Sequence, residues 1–286
     1  VAGVDVQGDR LEVGVDAFER GEECWTIDYQ IIHGDPRKIG PGSVWDALLD
    51  LRMKSYPHAG GSTLRITAMG IDSGFYSQDV YHFCRVNARF NIFAIDGLEG
   101  AGRPALGKAK WWDVTYKNIT HKKGVQKWPV GTFTIKQTIY DRLGLDEPGP
   151  RYYHFPRGLP DEYFEQLLSE KLTRERARGV ERQKWKKTRA RNEALDTKVY
   201  CYAAGVYAGM YRAPWDLWDS LLNPVQHDMF ARKNATLPPA RHDAGGAVSA
   251  SPPVPPAVPQ PQQPASSGFF NAPKTRRMRS TGITAR

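Results

Sequence analysis

The segment Asn192–Tyr211 constrains the fold most. It reads as a long helix, and beyond Lys198 it is apolar nearly all round, through Val199, Tyr200, Cys201, Tyr202 and Ala203 to Tyr211. A helix without a polar face must be buried on all sides. The run from Val199 to Tyr211 is the most apolar in the chain, yet it falls short of the roughly 18 residues a membrane span needs, so no membrane partner is expected. Its burial must come from a layered soluble domain. The opening, Val1-Ala2-Gly3-Val4-Asp5-Val6, shows no basic segment ahead of an apolar one, so a secretory signal is not expected. It also lacks a Met, which suggests a piece of a longer protein. Cys24, Cys84 and Cys201 are odd in number, widely spaced and outside any CxxC pair, which fits a reducing compartment rather than a disulfide framework.

The elements that would bury such a helix alternate along the chain. Val1–Val6 reads as a strand, Gly8-Asp9 as a hairpin turn, and Leu11, Val13, Val15 and Ala17 alternate over a second strand, with Cys24–Ile32 as a third. Ser43 caps a helix carrying Val44, Leu48, Leu51 and Met53. Leu64–Ile71 reads as a buried strand, Phe75–Val86 as a helix and Ile92–Ile95 as a short strand. Leu159-Pro160-Asp161 starts an amphipathic helix with Phe164, Leu167, Leu168 and Leu172 in register. A meander followed by strands alternating with helices predicts an α/β domain built on a mixed β-sheet flanked by helices. Asp16 and Asp28 alternate with apolar neighbours and read as solvent-face residues.

Beyond about residue 222 the pattern fades. Ten of the 21 prolines lie past residue 237. Pro, Gln, Ser and Ala dominate there, a composition that buries too little apolar surface to offset its ordering entropy. The expected organisation is a folded domain over 1–222 and a disordered Pro-rich, basic tail over 223–286. The tail ends in Phe269-Phe270-Asn271 and Lys274, Arg276, Arg277 and Arg279, the makings of a docking peptide; an unselected tail is the competing reading.

Charge divides the chain further. With 40 Lys/Arg against 31 Asp/Glu, the net charge is +9. Residues 171–191 contribute +8 and residues 223–286 contribute +6, which leaves −5 for the rest. Basic clusters on a mildly acidic body point to a polyanion, nucleic acid first; a solvated basic face is the plainer alternative. Gly179 and the β-compatible Val180 and Trp185 suggest a basic hairpin over Arg174–Lys187, with an unbroken basic helix as the competing structure. Lys184, Lys186, Lys187, Arg189 and Arg191 are the candidate phosphate contacts, which give affinity without sequence preference.

Several acids sit where an acid is costly. Asp5 interrupts an apolar strand, Asp72 ends one and is followed by Ser73-Gly74, and Glu193 and Asp196 lie three apart at the head of the long helix. Carboxylates near a sheet core must be paired or bind a cation, and α/β sheets build sites at strand C-terminal ends. Oxygen ligands without a His/Cys cluster select a hard ion, Mg²⁺ or Mn²⁺. Two such ions about 4 Å apart can drive phosphodiester hydrolysis. Taken singly, each acid also reads as a turn residue, a helix N-terminal charge or a salt-bridged edge. Asp96 matches no motif. The stretch Gly102–Lys108 fits G-x-x-x-x-G-K, but Ala109 replaces the Ser/Thr and Lys110-Trp111-Trp112 does not open a helix, so a basic loop near the site is the better reading.

Gly3-Val4-Asp5-Val6-Gln7, Gly70-Ile71-Asp72-Ser73-Gly74 and Arg191-Asn192-Glu193-Ala194-Leu195-Asp196 together resemble the nuclease domain of the large terminase subunit of lambda-like tailed phages. His154-Phe155-Pro156 and Tyr163–Glu170 are similar to the same family, so the resemblance runs from residue 1 to about 222. It implies an RNase H-like fold and a two-metal endonuclease cutting concatemeric viral DNA during packaging in the host cytoplasm. Asp5, Asp72 and Asp196 take the metal-binding and catalytic positions, and Glu193 matches the motif as a further ligand. Double-stranded DNA, the terminase small subunit, the procapsid portal and further copies in the motor are the implied partners. The family's large subunit also carries an ATPase motor N-terminal to the nuclease, which these 286 residues do not include. Another RNase H-like nuclease, such as a resolvase or transposase core, and a non-catalytic DNA-binding or procapsid-docking module are the alternatives.

Overall fold

The computed structural model describes residues 1–59, 61–177 and 180–222. Expectations for the tail and for Gly179 lie outside the described residues. The chain runs β1 (Ala2–Val6), β2 (Arg10–Phe18), β3 (Cys24–His33), α1 (Val44–Met53), β4 (Ser55–Pro57), β5 (Thr63–Arg65), β6 (Met69–Asp72), α2 (Ser77–Val86) and β7 (Ile92–Leu98). It continues through β8 (Lys110–Tyr116), β9 (Ile119–Gly131), α3 (Thr132–Leu143), β10 (Tyr153–His154), α4 (Asp161–Leu167), β11 (Glu170–Ala177), β12 (Val180–Lys187), α5 (Glu193–Ala208) and α6 (Trp215–Leu222).

Eight strands form one mixed sheet in the order β10-β3-β2-β1-β6-β7-β9-β8. β1 pairs antiparallel with β2 and parallel with β6; β6, β7 and β9 continue parallel. The meander, the Ser43 cap (Oγ accepting from the Asp46 amide) and α5 stand where the sequence puts them. The sheet separates two cores. Ala2, Val4, Val6, Leu11, Val13 and Val15 face α1 and α2, packing with Trp45, Leu48 and Phe83. The opposite face is covered by α5, backed by α3 and α4 through Ile135, Ile139, Tyr163 and Leu167. That sandwich explains why α5 carries so little polar surface.

Four readings need correction. Asp16 is 2% exposed, because α5 covers the face to which Glu12, Gly14 and Asp16 of β2 point; Lys198 reaches Asp16 at 2.7 Å and also meets Thr26. Asp28 is half-buried and held by Lys54 at 2.9 Å. The strand expected over Leu64–Ile71 is two strands: Thr63–Arg65 pairs with Ser55–Pro57 in a separate ribbon, and only Met69–Asp72 joins the main sheet. The helix begun at Asp161 ends at Leu167, so Leu172 lies in β11, opposite Trp185. The β8–β9 pair and α3 were not anticipated.

Candidate metal centre

Parallel pairing of β1, β6 and β7 brings their C-terminal ends together, and with them Asp5, Asp72 and Asp96. Side chains alternate along a strand, so Gly3 and Asp5 face α5 while Val4 faces α2. The glycine is what lets the helix come close: a Cβ at Gly3 would stand 2.4 Å from the Thr197 carbonyl oxygen and 2.5 Å from the Cys201 nitrogen. With the helix seated on that glycine, its first turn presents Asp196 to Asp5.

The three carboxylates feel one another. Asp5 is 5% exposed. Burial, then the negative charges of Asp196 and Asp72, push its pKa up to about 8, against the opposing amide of Gln7, which donates at 2.5 Å. Burial also pushes Asp72 up to about 6, with Asp196 and Asp96 adding to it, while the backbone N–H groups of Gly74 and Ser73 pull it back. Asp196 is raised by burial, and the nearby ammonium of Lys136 opposes that. Asp96 lies apart: alternation turns it to the α2 face, where Lys127 binds it at 2.9 Å.

Sequence reasoning missed the groups that steady Asp196. Lys136 of α3 is buried; its Nζ lies 3.1 Å from Asp196 and 2.7 Å from Glu170. The Asn192 amide donates to Asp196 at 2.8 Å and to Glu170 at 3.0 Å, and its oxygen accepts from Lys187 at 2.6 Å. The position of Lys136 beside Ile135 and three residues before Ile139, on the side of α3 that carries the apolar residues, was the available signal. Each acid of the trio thus has a partner now, and among the described residues no three His, Cys, Asp or Glu side chains already converge as an ion's ligands. The donor set nevertheless fits a hard cation: oxygen only, buried or half-buried, and mutually repelling without one.

Glu193 is placed elsewhere. Arg10 holds one of its oxygens at 3.0 Å and Arg191 the other at 3.3 Å. The same two arginines hold the fully buried Glu12, at 2.6 and 2.8 Å, and the Tyr29 hydroxyl donates to it. Glu12 stands directly opposite Asp5 in the β1–β2 ladder, so this cluster adjoins the aspartates without merging with them.

The candidate phosphate contacts separate likewise. β11 and β12 form the basic hairpin expected from the sequence. One face carries Trp185, which stacks on Tyr140 at 4.7 Å and donates from Nε1 to the Phe133 carbonyl, docking the ribbon on α3. Lys187 shares that face and turns to Asn192. The other face presents Lys171, Arg182, Lys184 and Lys186, all exposed. Arg189 pairs with Glu165 at 2.7 Å, and Arg191 is committed to Glu12, Glu162 and Glu193. Gly102–Lys108 leads into β8, not into a helix, and Gly107 donates to the Pro129 carbonyl at 2.8 Å.

Comparison with known proteins supplies the family. Residues 1–215 match the endonuclease domain of the terminase large subunit gpA. The chain is 30% identical over 213 residues to the terminase large subunit of Enterobacteria phage P21, covering 71% of this chain and 31% of that protein. It is 32% identical over 248 residues to the terminase large subunit of Escherichia phage lambda, covering 82% of this chain and 36% of that protein. The chain therefore spans about a third of the length of the curated relatives it matches. No solved structure matches it. A family match over most of the chain and an acid-lined sheet end beneath the head of α5 lead to one conclusion: this chain belongs to the family of terminase large subunit gpA endonuclease domains.

Proposed function

We propose that this domain is a metal-dependent DNA endonuclease of RNase H-like fold that cuts viral DNA during packaging. The observation that carries the reading is that Asp5, Asp72 and Asp196 lie close enough to act on one another's charge at one partly buried sheet end. The run β3-β2-β1-β6-β7, with β2 the antiparallel member and α5 across it, supports the RNase H-like assignment.

Asp5, Asp72 and Asp196 would hold Mg²⁺ or Mn²⁺. A pair of such ions supplies an activated water and charge neutralisation at the leaving oxygen of a phosphodiester. The protein's own groups do the rest. Asn192 and Lys136 orient Asp196, the Gly74 and Ser73 amides fix Asp72, and the open face of the β11–β12 ribbon follows the phosphates. Glu193 acts on this reading through Arg10 and Arg191, which hold both its oxygens. Double-stranded DNA is the substrate; the terminase small subunit, the procapsid portal and further copies of the subunit in a motor in the host cytoplasm follow from the family. The segment beyond Leu222 serves docking, so a chain ending there should keep its melting temperature and its nicking.

The test is plasmid nicking with Mn²⁺ or Mg²⁺ and with chelator. Metal-dependent nicking that is lost in Asp196→Asn, with DNA binding retained, is the expected result. A wild-type protein that binds DNA and never nicks it, whichever metal is supplied, would show a binding module instead.

A further inference from the structure

The loop between β6 and α2, which begins at Asp72, holds out an aromatic ring that nothing in the chemistry above uses. Phe75 follows Asp72 by three residues and is 46% exposed. The loop that carries it is pinned on both sides. The Ser73 amide and hydroxyl both donate to the Ile95 carbonyl, at 3.0 and 2.6 Å, and the Ser77 hydroxyl donates to the Ser73 carbonyl at 2.6 Å. Gly74 donates to Asp72 at 3.2 Å, and a Cβ there would press to 3.0 Å on the same carboxylate oxygen. Tyr76 then adopts a left-handed backbone, φ 47° and ψ 44°, which a bulky residue rarely takes. That turn sends the chain into α2 and leaves Phe75 outside it, its ring against Tyr76 at 4.1 Å between centroids. The ring also approaches the β1–β2 turn: a Cβ on Gly8 would lie 3.9 Å from Phe75 Cε1. Phe75 therefore spans the ends of the two strands that carry Asp5 and Asp72.

An exposed apolar side chain is ordinary in isolation. One held out by a strained, rigidly bonded loop that starts at a candidate metal ligand points to a use. We propose that Phe75 is a nucleobase contact, a wedge that packs against a base unstacked next to the phosphodiester being cut. Apolar side chains inserted at a base step unstack it and bend the duplex, and an aromatic face stacks on any base, so the contact suits an enzyme that cuts without a strong sequence code. The inference rests on the nuclease reading, because it needs DNA at this end of the sheet.

The test uses the full chain in chelator, so that no cutting occurs, and two short duplexes, one fully paired and one with a central mismatch. Unstacking costs least at the mismatch. The wild type should bind the mismatched duplex more tightly. Phe75→Ala should lose about tenfold in affinity for it, while Phe75→Tyr stays within about twofold of wild type. The melting temperature and its rise with Mn²⁺ should not move in either variant. The salt slope of binding should also hold, since Phe75 displaces no counterions, whereas lysine variants lower it. A Phe75→Ala protein that binds the mismatched duplex like wild type overturns the assignment, as does a tenfold loss that Phe75→Tyr fails to restore. Metal-dependent nicking by the wild type, measured separately, decides the nuclease reading: nicking without any effect of Phe75→Ala removes only the wedge.

Discussion

The two faces of the central sheet are built on different principles. Toward α1 and α2 the packing is Leu11, Val13, Trp45, Leu48, Val80 and Phe83, with little charge. Toward α5 the same strands bury Asp5, Glu12 and Asp16, and the buried acids and cations opposite them are Glu193, Lys136 and Lys198, with Asn192 at the head of α5. β2 shows the division within nine residues, with Leu11, Val13 and Val15 on one side and Glu12 and Asp16 on the other. One face stabilises by excluding water from apolar surface. The other also buries apolar side chains, Ile95, Ile135, Leu195 and Val199 among them, but its charged pairs add little net stability, since buried charges cost about as much as pairing returns; what those pairs supply is a fixed electrostatic field. A strand that alternates apolar and charged residues is therefore not always half in solvent.

The largest effect expected from this contrast is on cleavage. If the proposed metal site is right, Asp5→Asn, Asp72→Asn and Asp196→Asn should each lower nicking by roughly a hundredfold or more, because each would remove a ligand whose charge no neighbour replaces. DNA affinity should stay or rise slightly, as a like charge facing phosphate is gone. Full activity in Asp196→Asn at wild-type metal concentration would sink that residue's role, and activity in all three would sink the site.

Stability distinguishes the two faces next. Lys198→Met leaves the Asp16 carboxylate buried without its ammonium and should cost about 3–5 kcal/mol. Leu48→Ala on the apolar face should cost about 2–5 kcal/mol through lost packing. The totals overlap, but the couplings differ. Adding Asp16→Asn to Lys198→Met should recover much of the loss, since the penalty is an uncompensated charge. Urea unfolding of the wild type, Asp16→Asn, Lys198→Met and the double variant reads this directly, and strictly additive losses would mean that the pair is not coupled.

How much of this was legible follows the same division. The apolar face announces itself by periodicity: Val4 and Val6, Leu11 and Val13, and the Ser43-capped helix stand as read. Asp5, Asp72 and Asp196 were visible because an acid in or ending an apolar strand, or heading an apolar helix, breaks a pattern. Asp16 and Glu12 were not, because their cover comes from α5, some 180 residues away in sequence, and no local pattern encodes that. Lys136 was missed with its helix. β9 and α3 abut at Gly131-Thr132, and β9 is largely polar, with Pro129 near its end, so neither boundary carries a cap or a clean alternation. The split between Leu64 and Ile71 was hidden because both pieces are extended, and only their pairing differs.

Proton competition gives a smaller, signed effect. Asp5 titrates near 8 and Asp72 near 6 in the ion-free protein, both above the ordinary 3.8. A carboxyl whose folded pKa is raised favours the folded state when protonated. Its contribution is complete below the unfolded pKa of 3.8 and is lost as pH climbs through about 6 for Asp72 and about 8 for Asp5. The chelated protein should therefore melt lower at pH 8.5 than at pH 6 by this contribution, two conditions chosen to bracket those values. An ion must displace those protons, so the rise in melting temperature on adding Mn²⁺ should grow over the same interval. In Asp5→Asn the dependence centred near 8 should vanish while that near 6 remains. A Mn²⁺ effect that is flat with pH would mean these carboxyls do not share the ion.

The smallest effect tests where the charged face ends and the DNA surface begins. Five basic residues looked equivalent in sequence, but the structure divides them. Lys184 and Lys186 stand on the open face of the β11–β12 ribbon, and among the described residues the one ion pair of the two is the 3.8 Å approach of Lys184 to Glu99. Lys187 is spent on Asn192, Arg189 on Glu165, and Arg191 on Glu12, Glu162 and Glu193. A lysine that neutralises a phosphate releases a counterion and adds about one unit to the salt slope. Replacing Lys184 and Lys186 together by Ala should lower that slope by about two and weaken all sequences alike, with the melting temperature unchanged because both side chains are solvated. Arg191→Ala should do the reverse: it deprives the buried Glu12 of a partner and lowers the melting temperature, while the slope hardly moves. Titrations across a salt series for these variants decide the matter. A slope that drops equally for Arg191→Ala would show that DNA draws this arginine out of its cluster, so that the buried field under α5 and the exposed ribbon act as one surface once substrate is bound.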